Sequence, residues 1–361
     1  MTDGLLVHSE NWQVLNLFQE KYRERVKCVY IDPPYNTGSD EFIYRDNYQH
    51  SSWLSMMCDR LALGRELTRE DGAIFVSIDE REFARLRLVL ETVGLQSVGH
   101  IVWRKKKAFG RGHKYIIPQT EFVFVSVNND QSGGGFALPY SKDLIRQFPY
   151  VDEQGRYRRL RLWHTAPQGA YARSTLRYEI HAPDGSVADS VTGQWLWSKS
   201  RLDQEVQKGN VEFVKQADGT WRVYKKDYLS EDRTEKPISY FDGATTDNAA
   251  REIAALFSTL NVTFFPKPTD LILHLSRFSQ DASSIVLDFF AGSGTTGHAV
   301  INLNREDGGR RKFILVEMAD YFDTVLLPRI KKVTFTPEWK DGKPKRMATP
   351  EEAERSPRIV K

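Results

Sequence analysis

The stretch VYIDPPYNTGSDEF, Val29 to Phe42, limits what this chain can fold into more than any other. Its first residues read as a buried strand, but proline has no backbone N–H and cannot continue a sheet ladder. The strand must therefore stop at Asp32, and Pro33, Pro34 and Tyr35 must form a stiff loop. An acid at a strand end, followed by a preset turn and an aromatic ring, holds something still.

A second strand end has the same character. SSIVLDFFAGSGTTGHAVINLN reads as strand, glycine loop and helix, with Asp288 closing the strand and Gly292, Gly294 and Gly297 spelling G-x-G-x-x-G. Glu317 stands twenty positions past Gly297, at the end of the next strand. This spacing matches a dinucleotide fingerprint, so an NAD- or FAD-dependent oxidoreductase must be weighed. Only one clear strand follows the loop, however, and Asp288 would face a pyrophosphate unfavourably. It suits a cofactor with an ammonium and a sulfonium and no phosphate, S-adenosylmethionine, with Glu317 accepting from ribose hydroxyls.

The rest of the chain alternates in the way a parallel sheet requires. LLVH, CVYID, AIFVSID, VGHIVWRK and EFVFVSV read as strands, and WLSMMCDRLALGRELTRE and EREFARLRLVLETVG as amphipathic helices. This predicts a largely parallel sheet covered by helices, with an antiparallel edge. The pattern breaks at NNDQSGGGFALP, and residues 131–261 form a compositionally distinct insert rich in Tyr, Trp and Arg. Trp195, Trp197 and Trp221 are expected in its small core, and NAAREIAALFSTL is expected to be helical with Ile253, Leu256, Phe257 and Leu260 on one face. The α/β domain is thus read as interrupted, with residues 1–130 and 262–337 as its two parts and 338–361 as a frayed basic tail.

Composition excludes several classes. Hydrophobic content of 40% and charged content of 27% describe an ordinary folded protein. The first residues lack the basic and apolar regions of a signal peptide, and no apolar run approaches a membrane span. Cys28 and Cys58 are expected as reduced thiols, which makes a cytoplasmic location the expectation. The net charge of +3 is small, but Arg104, Lys105, Lys106, Lys107, Arg111 and Lys114 crowd one segment, and Arg156, Arg158, Arg159 and Arg161 another. Such clusters can neutralise phosphates.

The two loops together suggest one reaction. An exocyclic amine on a nucleobase is a poor nucleophile because its lone pair is delocalised into the ring. The Asp32 carboxylate and the Pro33 carbonyl can accept hydrogen bonds from that NH2 and aim the lone pair at a methyl group. Tyr35 offers a face for stacking, and the base would have to be flipped out of the duplex. No metal and no covalent intermediate are required. Cytosine C5 methylation needs a thiolate in a suitable loop, and zinc deamination needs H-x-E and C-x-x-C ligands. Neither cysteine lies in such a loop, and the sequence has no C-x-x-C.

IDPPYNTGSDEFIYRDNY, FPKPTDLI and LDFFAGSGTTGHAV resemble the amino-group DNA methyltransferases of the permuted (β) class, and most of all the modification (Mod) subunit of type III restriction systems. The resemblance implies a circularly permuted, Rossmann-like class I methyltransferase sheet with an inserted target recognition domain. It gives Asp32, Pro33, Pro34 and Tyr35 catalytic roles and adenine N6 as the acceptor. Glu10, Asn11, Lys267, Pro268, Asp288, Phe289, Phe290, Ala291, Gly292, Gly294, Thr295, Thr296 and Glu317 would hold S-adenosylmethionine. Asn36 and the first basic cluster would contact double-stranded DNA. A homodimer and a nuclease or translocase restriction subunit are further partners the resemblance brings into view, and a membrane is not one. Cytosine N4 methylation and a catalytically silent DNA-binding relative are the alternatives.

Overall fold

The computed structural model describes residues 3–36, 49–108, 115–129, 135–138, 142–164, 173–189, 193–229, 234–258, 265–279 and 281–361. Two compact units divide the chain, one made of Met1–Leu138 with Lys236–Lys361 and the other of Pro139–Glu235.

Among the described residues, the first unit is built on a nine-stranded sheet. Its strands are β1 (Gly4–His8), β2 (Val26–Ile31), β3 (Thr68–Ile78), β4 (Gln96–Arg104), β5 (Thr120–Val127), β6 (Tyr240–Phe241), β7 (Ile285–Asp288), β8 (Lys312–Glu317) and β9 (Ile359–Val360), in the order β6-β4-β5-β3-β2-β7-β8-β1-β9. Neighbours pair in parallel except where β5 meets β3 and β4. The reversed strand therefore lies inside the sheet, two places from the expected edge, because Tyr240–Phe241 extends the sheet beyond β4.

The strands carry near-continuous apolar runs because helices cover both faces. On one face Val29, Ile31, Ile74, Val76, Ile314 and Val316 meet α1 (Asn11–Tyr22), α2 (His50–Leu67) and α3 (Glu80–Thr92). On the other, Cys28, Tyr30, Phe75, Phe313 and Leu315 meet α4 (Thr246–Leu256), α5 (Thr269–Ser276), α6 (Thr295–Asp307) and α7 (Leu327–Phe335). The period of two along each strand assigns alternate residues to opposite cores. Cys28 and Cys58 are both free thiols, the former buried and the latter half-buried.

Two expectations change here. The insert is shorter than residues 131–261, because the chain has returned to the sheet by β6. The Trp103 indole donates to the Ala244 carbonyl at 2.7 Å, and α4 buries Ala249, Ile253 and Leu256, with Leu256 joining the core under the sheet. Nor is the segment 338–361 frayed. Trp339–Lys340 pairs with Lys343–Pro344, Arg346 is held by Glu338 and Glu352, and β9 lies parallel to β1.

The second unit contains a four-stranded antiparallel sheet of Tyr150–Asp152, Gly155–Arg161, Val211–Lys215 and Trp221–Tyr228, together with a helix at Lys199–Gln207. Trp195 is buried in its core with Leu162, Ile180, Leu202 and Val223, and Trp197 packs against them. Trp221 lies outside that cluster and donates to Asp184 at 2.7 Å. The arginine cluster is partly neutralised from within, by Asp227 on Arg158 and Glu212 on Arg159.

The third glycine of G-x-G-x-x-G serves packing. A Cβ on Gly297 would lie 2.7 Å from Ile330 Cδ1 and 2.9 Å from Leu315 Cδ1, both in the core. Gly297→Ala should therefore destabilise the fold by about 1–3 kcal/mol. Urea unfolding of the two proteins checks this, and equal midpoints would contradict the close approach.

Candidate active site

β1, β8, β7 and β2 are adjacent and parallel, so their carboxyl ends open on one side of the sheet. They deliver Glu10 and Asn11 just past β1, Glu317 at the end of β8, Asp288 at the end of β7 and Asp32 just past β2. β2 leads through α2 to β3, while β7 leads through α6 to β8 on the other side. The order reverses between them, where open α/β sheets bind ligands. A cavity of about 470 Å³ lies there. Of the residues expected at the site, Glu10, Asn11, Asp32, Pro34, Lys267, Asp288, Phe289, Phe290, Ala291, Gly292, Thr295, Thr296 and Glu317 line it. Pro33, Tyr35, Pro268 and Gly294 adjoin these residues in the chain and are not part of that lining.

The loop after β2 is pinned from two sides. The Trp53 indole on α2 donates to the Pro34 carbonyl at 2.7 Å. The Lys267 ammonium reaches both Asp32 carboxylate oxygens, at 2.9 and 2.8 Å, and lies 3.5 Å from Glu121 Oε2. Glu121 in turn takes the Lys105 ammonium at 2.9 Å and the Tyr35 hydroxyl at 3.1 Å. Burial pulls the Lys267 ammonium down, but Asp32 and Glu121 more than offset it, and its pKa is raised. Burial likewise pushes Glu121 up, and Lys267 and Lys105 bring it below the usual carboxylate range. The Tyr35 hydroxyl is held well above its ordinary value by burial, with Asp32 and Glu121 adding to it. Removing one partner of a buried pair typically costs about 3–5 kcal/mol, so these charges are mutually dependent.

The second loop is as firmly built. Asp288 accepts from the Phe290 N–H at 3.0 Å and from the Thr296 hydroxyl at 2.5 Å. Burial still drives its carboxyl up to about 7, with Asp32 and Glu317 contributing. Glu317 accepts from the Gly292 N–H at 2.8 Å and from the Met318 and Ala319 N–H groups, which ties the end of β8 to the glycine loop. Gly294 caps α6 with φ 83°, a conformation that favours glycine. Asn11 donates to the Phe289 carbonyl at 2.8 Å, and Arg60 bridges Asn11 and Glu10 at 2.5 Å each. Beneath the loop, fully buried Arg329 on α7 donates to the Ser293 and Thr295 hydroxyls at 2.8 and 2.9 Å.

The residues expected on DNA divide. Asn36 turns inward, donating to buried Glu82 at 2.8 Å, and Lys105 is committed to Glu121. Both are engaged for the same reason: a buried carboxylate needs donors and recruits the nearest one. Lys106 and Lys107 are exposed and Arg104 is half-buried, whereas Arg111 and Lys114 lie outside the described residues. Sequence reasoning missed Glu121, Arg60, Trp53 and Arg329, none of which belongs to a local motif. A buried acid at the start of the β-run EFVFVSV was the one visible signal.

The raised pKa of Asp288 has a testable sign. In the unfolded chain its carboxyl ionises near 3.8, and in the fold near 7. Between these values the native state holds the extra proton, so stability falls as pH rises through that window. Asp288→Asn should therefore gain stability relative to the parent between about pH 4 and pH 7. Denaturant unfolding at several pH values checks this, and a pH-independent difference would contradict it.

Residues 26–325 match the family described as DNA methylase, the N6/N4 methyltransferases. The chain is 33% identical over 353 residues to the type III restriction-modification enzyme StyLTI Mod subunit of Salmonella typhimurium, covering 86% of this chain and 52% of that protein. It is 28% identical to the EcoP15I Mod subunit of Escherichia coli, covering 87% of this chain and 58% of that protein. To the type II methyltransferase M.KpnI of Klebsiella pneumoniae it is 29% identical, covering 88% of this chain and 81% of that protein. The chain thus spans somewhat more than half the length of the type III relatives. With this match running from β2 to beyond β8, and with the two motif loops on neighbouring strands of a Rossmann-like class I methyltransferase sheet, the chain belongs to the N6/N4 DNA methylase family.

Proposed function

We propose that the chain transfers a methyl group from S-adenosylmethionine to the N6 amino group of an adenine flipped out of double-stranded DNA. The observation that carries this reading is the placement of Asp32 and Asp288 at the ends of β2 and β7, adjacent strands, on one cavity. The residues present suit such a donor. Asp288 is a buried carboxyl with spare acceptor capacity, Glu317 closes the next strand, and acids outnumber bases along the cavity wall.

The donor, when bound, supplies a cationic sulfonium whose methyl group is open to attack. The chain's part is to make an amine attack it. Asp32 accepts one amine hydrogen, and because the Pro34 carbonyl is committed to Trp53, the Pro33 carbonyl is the backbone group left for the other. Both bonds draw the nitrogen toward a tetrahedral shape and aim its lone pair. Tyr35 is fixed through its hydroxyl and supports the base. Asp288 and Glu317 favour the donor's positive end and its ribose. Asn11 and Glu10, braced by Arg60, complete the wall beyond β1.

The unit at Pro139–Glu235 is proposed as the target recognition domain, and a bacterial cytoplasm as the location, where the substrate resides. The type III relatives are named as Mod subunits. For this chain, a homodimer and a restriction subunit are proposed by analogy with them.

The decisive experiment is transfer of labelled methyl from S-adenosylmethionine to unmethylated bacterial DNA, with nucleoside mass spectrometry of the product. N6-methyladenine is expected. N4-methylcytosine would keep the mechanism and change the base, and no label in DNA would overturn the reading. Asp32→Ala should lower transfer by at least about a hundredfold while calorimetry shows the donor still bound. Replacing Lys106 and Lys107 with Gln should weaken binding to all DNA sequences alike and reduce the slope of log K against log salt by about two. An unchanged slope would remove these lysines from the interface.

A further inference from the structure

Glu121 reaches the site because β5 runs against its neighbours. In a parallel sheet, loops at the carboxyl ends make the site, but a reversed strand brings its first residues there instead. Ile78, which ends β3, pairs with Phe122 near the start of β5. Glu121 is therefore level with the strand ends that carry Asp32 and Asp288.

Four charges then alternate in a chain from Asp32 through Lys267 and Glu121 to Lys105. Lys267 lies at hydrogen-bond distance from both Asp32 oxygens and slightly farther from Glu121, at 3.5 Å. The rings of Tyr35 and Trp103, at 4.8 and 5.8 Å, cover the same buried ammonium. An acceptor amine competes with Lys267 for the Asp32 oxygens, both of which that ammonium contacts. Without a second anion nearby, the displaced ammonium would be buried and unpaired.

We propose that Glu121 is a positioning residue for methyl transfer: it receives Lys267 as the amine takes its place on Asp32, so Asp32 becomes available without stranding a buried charge. This role rests on the methyltransferase reading above. Lys105 and Tyr35 hold Glu121 in place for it. The groups facing Lys267 are Asp32 and Tyr35 from the loop after β2, Trp103 from β4 and Glu121 from β5. Lys105 lies behind Glu121, and Asp288 behind Asp32.

Two measurements on Glu121→Gln and Glu121→Asp test this. The first is the titration of Lys267 by NMR of the protein labelled with carbon-13 lysine, assigned with Lys267→Arg. In Glu121→Gln the Lys267 ammonium should titrate at least about one pH unit lower than in the parent. In Glu121→Asp, whose carboxylate is set back by one methylene, the shift should be smaller. The second is single-turnover transfer to DNA across pH. Its rate should fall about tenfold or more in Glu121→Gln, with an alkaline limb moved to lower pH and donor affinity by calorimetry unchanged. Partial recovery is expected in Glu121→Asp, which also serves if the Gln variant does not fold. An unmoved Lys267 titration in a folded variant, or an unchanged single-turnover rate, overturns the proposal. If the parent protein transfers no methyl at all, the methyltransferase reading fails, and the Lys267 titration still decides whether Glu121 holds that lysine.

Discussion

The pairing of β2 with β7 is the constraint on which the rest depends. Val29 faces Leu287 and Cys28 faces Val286, which joins segments some 250 residues apart in the chain into the centre of one sheet. Everything chemical at the site follows from that register. It sets the prolines after β2 beside the glycine loop after β7, and it makes Asp32 an electrostatic neighbour of Asp288 whose charge adds to the upward shift of the Asp288 carboxyl. The cluster is tolerable because Lys267 intervenes on one side and the helix and loop donors Thr296 and Phe290 on the other.

Buried charge is handled differently in the two halves of the site. Around Asp32 the answer is alternation of full charges. Around the glycine loop it is neutral donors, with one exception in Arg329. This arginine makes its shortest bonds to hydroxyls and, among the described residues, meets one carboxylate, Glu252, at 3.5 Å. Glu252 also accepts the Thr269 hydroxyl, so the start of α5, just past Lys267, and the glycine loop share one polar anchor. A network of this kind fixes geometry more than it adds stability.

Much of this arrangement was legible in the sequence because it is local. A proline pair after a strand and three glycines before a helix each announce a backbone conformation within a few residues. The helices and strands of the sheet announced themselves by period. What stayed hidden depends on distant partners: Glu121 needs Lys267, Arg60 needs Glu10, and neither EFVFVSV nor DRLALG names the partner. The insert boundary was misplaced for a similar reason. The apolar face of α4 is plain in TDNAAREIAAL, but a face does not say which core it joins. The two-residue strand β9 is too short to carry a pattern at all.

The sheet order also governs how the chain can acquire its structure. β1 is flanked by β8 and β9, both made hundreds of residues later, and β2 lacks one neighbour until β7 exists. At about 5–20 residues per second of synthesis, the early strands wait for many seconds with open edges. During that interval β2, β3, β5 and β4 can zip together, but the gap between β1 and β2 stays empty. Such long-range closure makes folding slow and leaves hydrophobic strand edges exposed to aggregation. The fold that brings two distant loops to one cavity is thus also one whose assembly depends on protection while the last third of the chain is still being made.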